Sequence, residues 1–309
     1  MNTKQNSPKG ELRIAGASLT TGKWEETYFC ALHYFSEQKR WAVKSLHTFD
    51  RDIISFHPPI NSFTVDLPLH AGLCSEHVHA LPPKSVQFIQ QMLNKQLDED
   101  AIYAKTHPKK YEQERKRDEL IDFKKHLLES RPTSSQLSLT YKRKLKKGFI
   151  PYLHRPIDAW VWMHYFDAMN EAFKVTFDSY GHVSVPLLQR FAYFRSQFPT
   201  TCDFFETNFW ILLLELYRAD LINKKQLLFE RKGEEAIRFR SHIIETLESK
   251  LGLFIYDQDL SVLVRQPRAF ASFLLAVAGL RRQQGDFYQL PKWALEQSSQ
   301  FFVPHFMVR

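Results

Sequence analysis

Ser62–Gly72 reads SFTVDLPLHAG, and the fold of the chain turns on this stretch. Phe63, Val65 and Leu67 alternate with Thr64 and Asp66, the period of two that marks a strand. Pro58 and Pro59 precede the run, and Pro68 ends it by removing a backbone donor. The result is a mostly apolar strand with one carboxylate at its C-terminal end. Burying an unpaired carboxylate is costly, so Asp66 needs a partner, a metal or a solvent-facing crevice. Two readings stay open at this point. Asp66 caps the turn into the next segment, or it lines a crevice at the carboxyl end of a parallel strand, where open α/β sheets bind ligands.

Upstream, Glu11–Thr20 is a strand candidate that enters the small-residue patch Ala15-Gly16-Ala17-Ser18. Thr27–Phe35 and Trp41–Phe49 are two more strands around the polar turn Ser36–Lys39. Three strands joined by short turns form an antiparallel meander. Phe49–Phe56 reads as a short helix or turn before the fourth strand. Downstream the pattern changes to helical spacing over Lys84–Leu97, Tyr111–Ser130, Ile157–Phe177 and Val185–Phe198. Thr201–Asn208 returns as a fifth strand and runs into the apolar stretch Phe209–Leu216. A helix over Gly233–Leu251 and a loop holding Asp257 and Asp259 follow. Pro267–Gln284 is a helix apolar almost all round, hence buried. The segment from there to Arg309 is expected to pack as loops. The domain reading is a disordered tail at 1–10, an α/β core at 11–72 and 201–309, and a helical insertion at 73–200.

Composition narrows the function classes. The chain has 309 residues, 44% hydrophobic, with 26 Phe, enough for a sizeable core. Only 10 Gly are present, with no G-x-G-x-x-G and no Walker lysine, so no nucleotide cofactor is expected. The net charge of +8 favours polyanions, nucleic acid above all or an anionic membrane surface, and a protein partner is the other class of partner that stays open. Three cysteines far apart imply no disulfide framework. The start MNTKQNSPKG has no apolar core and no apolar run is membrane-length, which predicts a cytoplasmic protein with no membrane contact.

The order of elements, with the motifs they carry, resembles the RNase H-like fold, and within it a bacterial family of uncharacterised, predicted nucleases. VDLPL at Val65–Leu69 matches that family's fourth strand. KRKLKKGFIPYLHR at Lys142–Arg155 is similar to its basic stretch with Gly and Pro-Tyr. Phe205-Glu206 matches the acid on the fifth strand, and RAFASFLLAVAGL at Arg268–Leu280 resembles the final helix. The resemblance implies an α/β protein, a five-stranded mixed sheet of RNase H-like type with a large helical insertion after the fourth strand. It also implies metal-dependent phosphodiester hydrolysis, with Mg²⁺ or Mn²⁺ held by Asp66 and Glu206.

Two positions depart from that pattern. Ser18 stands where the first strand of the family ends in Asp, leaving at most a water-mediated ligand. In the last helix the family's Asp falls on Arg268 or Ala271. Arg268 and Ser272 are i,i+4 neighbours on that helix, so an ion pair of Arg268 with Asp66 or Glu206 is expected to replace a metal if hydrolysis has been lost. The alternative function is then a non-catalytic scaffold that binds nucleic acid or protein. Lys142, Arg143, Lys144, Lys146 and Lys147, with Tyr152 and Arg155, form the candidate nucleic-acid surface, because cations meet phosphates and interleaved aromatics stack bases. Cys74, His77 and His79 are ligand types that suit Zn²⁺, or loop residues with no ligand role.

Overall fold

The computed structural model describes residues 13–20, 27–47, 49–56, 60–69, 84–115, 120, 123–124, 139–149, 154–176, 185–227, 233–296 and 298–306. In chain order the elements are β1 (Arg13–Ser18), β2 (Tyr28–Phe35), β3 (Arg40–His47), α1 (Asp50–Ile54), β4 (Ser62–Val65), α2 (Lys84–Thr106) and α3 (Pro108–Arg115). Then come α4 (Leu139–Gly148), α5 (Pro156–Phe173), α6 (Val185–Ser196), β5 (Asp203–Glu206), α7 (Phe209–Arg218) and α8 (Lys224–Leu227). The chain closes with α9 (Glu234–Leu251), β6 (Leu253–Phe254), α10 (Asp257–Arg265) and α11 (Pro267–Gln283).

The strands form one mixed sheet in the order β5-β4-β1-β2-β3-β6. β1 is antiparallel to β2 and parallel to β4, and β2 is antiparallel to β3. The sheet thus has six strands where five are expected. The sixth is Leu253–Phe254, paired parallel to Trp41 and Ala42 of β3. Two residues are too few to display a period of two, so no pattern in the sequence announces this strand. Asp257 and Asp259 likewise sit in the first turn of α10 and not in a loop. Acids there complement the exposed amide dipoles of a helix start.

The chain divides into two compact units, each assembled from three separated segments. The first comprises Met1–Val65, Gln189–Phe204 and Arg231–Leu280. The second comprises Asp66–Leu188, Phe205–Glu230 and Arg281–Arg309. This differs from a single insertion at 73–200, because residues 189–200 join the first unit while 205–230 and 281–309 join the second.

In the first unit a helix packs on each face of the sheet. Gly16 and Thr64 lie on the face of α11: a Cβ on Gly16 would collide with the carbonyl oxygen of Ser272 and the amide of Ala276. On the other face Phe29 and Phe63 meet Phe194 of α6, with ring centroids 5.2 and 5.4 Å apart. Phe204 stacks on Phe63 at 5.2 Å. Burial of each such ring contributes roughly 1.5–3 kcal/mol. Ala269 to Leu280 of α11 are buried at every position, as an all-round apolar helix requires. Among the described residues no single helix is long and apolar enough to cross a membrane.

The second unit is mainly helical, with α5 buried along most of its length. Tyr165 of α5 donates to Glu215 of α7 at 2.8 Å, and the Arg218 guanidinium covers the Phe123 ring at 3.9 Å. The segment after α11 does more than form loops. Phe301 makes a parallel bridge to Glu206, with Glu206 N–H donating to Gln300 and Phe302 N–H donating to Glu206.

Candidate functional site

Glu206 ends β5 in the second unit and is 4% exposed. A carboxylate there requires compensation, and Arg155 supplies it. Nη1 of Arg155 donates to Oε2 of Glu206 at 2.7 Å, and Nη2 donates to Oε1 at 2.6 Å. The planar guanidinium fork matches both carboxylate oxygens at once. The amide of Leu69, three residues beyond Asp66, donates to Oε2 at 3.0 Å.

The local sequence explains how Arg155 reaches this place. In His154-Arg155-Pro156, proline holds Arg155 extended (φ −98°, ψ 162°) and opens α5 as its first residue. Asp158, three residues on, accepts the Arg155 backbone amide at 2.7 Å and Nη2 at 3.0 Å. Arg155, Asp158 and Glu206 are all nearly fully buried. Burial alone pulls the guanidinium pKa down, but Asp158 and Glu206 outweigh it and hold the pKa well above the ordinary arginine range. The cluster carries a formal charge of minus one, set against the partial positive charge at the start of α5.

Asp66 is half-buried and accepts the amide of Phe209 at 3.2 Å. It therefore helps cap α7 together with Asn208, whose side chain accepts from Trp210 and Ile211. The helix start that it serves lies 143 residues away along the chain and not in the segment that directly follows Asp66. In the first unit, Ser18 is buried at the end of β1 opposite Tyr28. Ser272 is fully buried and donates to the carbonyl of Ala269 at 2.8 Å. Arg268 is exposed in the first turn of α11. The cation that neutralises Glu206 is Arg155, which corrects the expectation placed on Arg268. That cation comes from the start of a helix in the middle of the chain, which no spacing in the sequence reveals.

A divalent cation needs free oxygen ligands. Three donors occupy the roughly four acceptor positions of the Glu206 carboxylate, so this donor set does not fit Mg²⁺ or Mn²⁺. Among the described residues no group of three or more His, Cys, Asp or Glu side chains is arranged to hold a metal. Cys74, His77 and His79 lie outside the described residues, as does Tyr152.

The basic run forms α4 and splits by face. Lys142 is 1% exposed, and its ammonium donates to Asp100 of α2 at 2.6 Å. Leu145 on α4 and Phe149 just after it are also buried, while Arg143, Lys144, Lys146 and Lys147 are exposed. Lys142 and Arg155 are thus internal, with their charges met by Asp100 and by Asp158 and Glu206. Arg143 and Lys146, Lys144 and Lys147, and Arg143 and Lys147 are three or four residues apart, so the four exposed cations spread across one broad side of the helix. Comparison with family models, with curated proteins and with solved structures finds no match to this chain.

Two partners escaped the sequence reading. Asp158 was legible in principle, as an acid three residues after a residue followed by proline, a helix-start pattern. Asp100 was not, because one acid among several on a long exposed helix carries no mark of its distant lysine.

Proposed function

We propose that this chain is a non-catalytic nucleic-acid-binding protein built on an RNase H-like sheet. The strand order β5-β4-β1-β2-β3, with the first three strands antiparallel and the fourth parallel to the first, supports that fold reading. So does the close seating of the last long helix on the first strand. The acid at the end of β5 has a structural partner in Arg155, which favours binding over hydrolysis.

The observation that carries the reading is the set of exposed cations Arg143, Lys144, Lys146 and Lys147. The buried Lys142–Asp100 pair anchors that helix to α2 from behind. Phosphate contacts by such cations release counterions, so affinity falls steeply with salt.

Fluorescence anisotropy with labelled single-stranded and duplex DNA and RNA tests this across a salt series. The variant Arg143→Gln, Lys144→Gln, Lys146→Gln, Lys147→Gln is expected to fold normally and to reduce the slope of log affinity against log salt by up to about 3 on single strands. An unchanged slope, or Mn²⁺-dependent cleavage that Asp66→Asn abolishes, would overturn the proposal.

A further inference from the structure

The first unit holds a surface cleft of about 430 Å³, lined by Phe49, Asp50, Arg51, Ile54 and Tyr193. That volume falls within the range of small-ligand sites, about 300–1,000 Å³. Its chemistry is specific in three ways. First, Tyr193 is 60% exposed, an aromatic face left in water beside the half-buried ring of Phe49. Second, the acid in the lining is already neutralised. Arg190 donates to both oxygens of Asp50, at 3.0 and 2.7 Å, and spans to the Thr20 carbonyl and the Thr27 hydroxyl. Third, a cation stands at the rim. The Arg51 side chain is 85% exposed, 5.5 Å from the centre of the Phe49 ring, with a 3.6 Å contact to Asp52.

Flat π faces, a neutralised lining and an exposed guanidinium suit a flat ring that carries an anion. We infer that this cleft seats an unpaired nucleobase bearing a phosphate, with the base against Tyr193 and the phosphate on Arg51. Base–aromatic stacking is tolerant of sequence, and arginine adds both charge and a stacking plane. The residues are distinct from the cationic side of α4, so the inference stands or falls separately from it.

The test follows 2-aminopurine fluorescence, which stacking quenches, with the full chain. Probes are 2-aminopurine nucleoside monophosphate, the unphosphorylated nucleoside, a short single strand carrying one 2-aminopurine, and a matched strand with an abasic site there. Quenching is expected on the monophosphate and on the strand. Tyr193→Ala should abolish it and lower affinity about tenfold, while Tyr193→Phe, which keeps the ring, should restore it. Arg51→Gln should weaken the monophosphate and leave the nucleoside unchanged. Quenching of the strand alone would assign the site to single-stranded nucleic acid, and of the monophosphate alone to free nucleotide; either supports the shared chemistry. Absence of quenching, equal binding of the abasic strand by the four-cation variant of α4, or quenching that survives Tyr193→Ala would overturn it. The four-cation variant of α4 is expected to keep the quench with the monophosphate, so failure of one reading is separable from failure of the other. Circular dichroism of each variant excludes loss of fold as the cause.

Discussion

Arg155 shows how much one side chain decides in this protein. It joins the start of α5 to the end of β5, and its removal leaves Asp158 and Glu206 buried with no cation. Arg155→Met is therefore expected to lose about 3–5 kcal/mol in urea unfolding. Adding Glu206→Leu should recover part of that loss, since a buried carboxylate without a partner is the larger cost. A single variant as stable as the parent chain would sink this account. Gly16 is decided by space: a Cβ there meets helix backbone, which cannot step aside. Gly16→Ala should cost at least about 1–3 kcal/mol. Gly148→Ala meets nothing within 4 Å and serves as the control, with a gain of about 0.4–1 kcal/mol expected from reduced chain entropy. Equal unfolding midpoints for the two variants would contradict the packing argument. His47 links a residue to pH. Burial lowers its pKa, with Asp52 pulling the other way. The unfolded chain then takes up the proton first, so the stability tied to His47 is full above about pH 6.5 and lost as pH falls through the lower folded value. His47→Gln should flatten the fall in urea midpoint between about pH 7.5 and pH 5.5.

At the scale of elements, the edges of the sheet are handled unequally. Outside β5, the C-terminal segment bridges through Phe301 and exchanges backbone hydrogen bonds with Glu206. Arg282 adds a clamp, with its guanidinium 3.4 Å from the Phe205 ring centre and 5.8 Å from that of Phe302. A chain ending at Ser299 loses that bridge and one wall of the clamp. Open strand edges recruit other chains, so the truncated protein is expected to unfold at lower urea and to self-associate in sedimentation velocity. A monomer of unchanged stability would show that the bridge contributes little. The long helices α2, α5, α6, α9 and α11 were legible because apolar spacing over many residues is a strong signal, whereas α10 reads as a loop and α4 only as a basic run. β6 was hidden because it is a two-residue strand, formed where Gly252 (φ 61°) ends α9 and turns the chain toward β3.

For the whole molecule, the charge of +8 acts as a field as well as a set of contacts. Replacing four cations on α4 leaves a net positive chain, so weak, salt-sensitive attraction to nucleic acid should remain after the substitution. The anisotropy series separates this residue from the specific set. A residual slope that is shallow but not zero is the expected outcome, and a slope of zero would mean that the set carries the whole attraction. The two units are each built from three chain segments. Contiguous excision of the helical region would therefore remove Arg155 from Glu206, which follows it by 51 residues.

Local signals sufficed for much of this. Alternation in Ser62–Val65, the meander before it, the helical spacing from Lys84 and from Ile157, and the buried helix opened by Pro267 all follow from propensity and periodicity within a few residues. They also placed acids at the ends of two strands. What tertiary structure alone decided is how each charge is met. Lys142 and Lys144 look alike in the sequence, yet one is buried against Asp100 and the other exposed. Asp66 and Glu206 look like ligands in the sequence, yet one caps α7 and the other grips Arg155. The cost of burying a charge depends on what lies within about 3 Å of it, and residues far apart along the chain supply that neighbour.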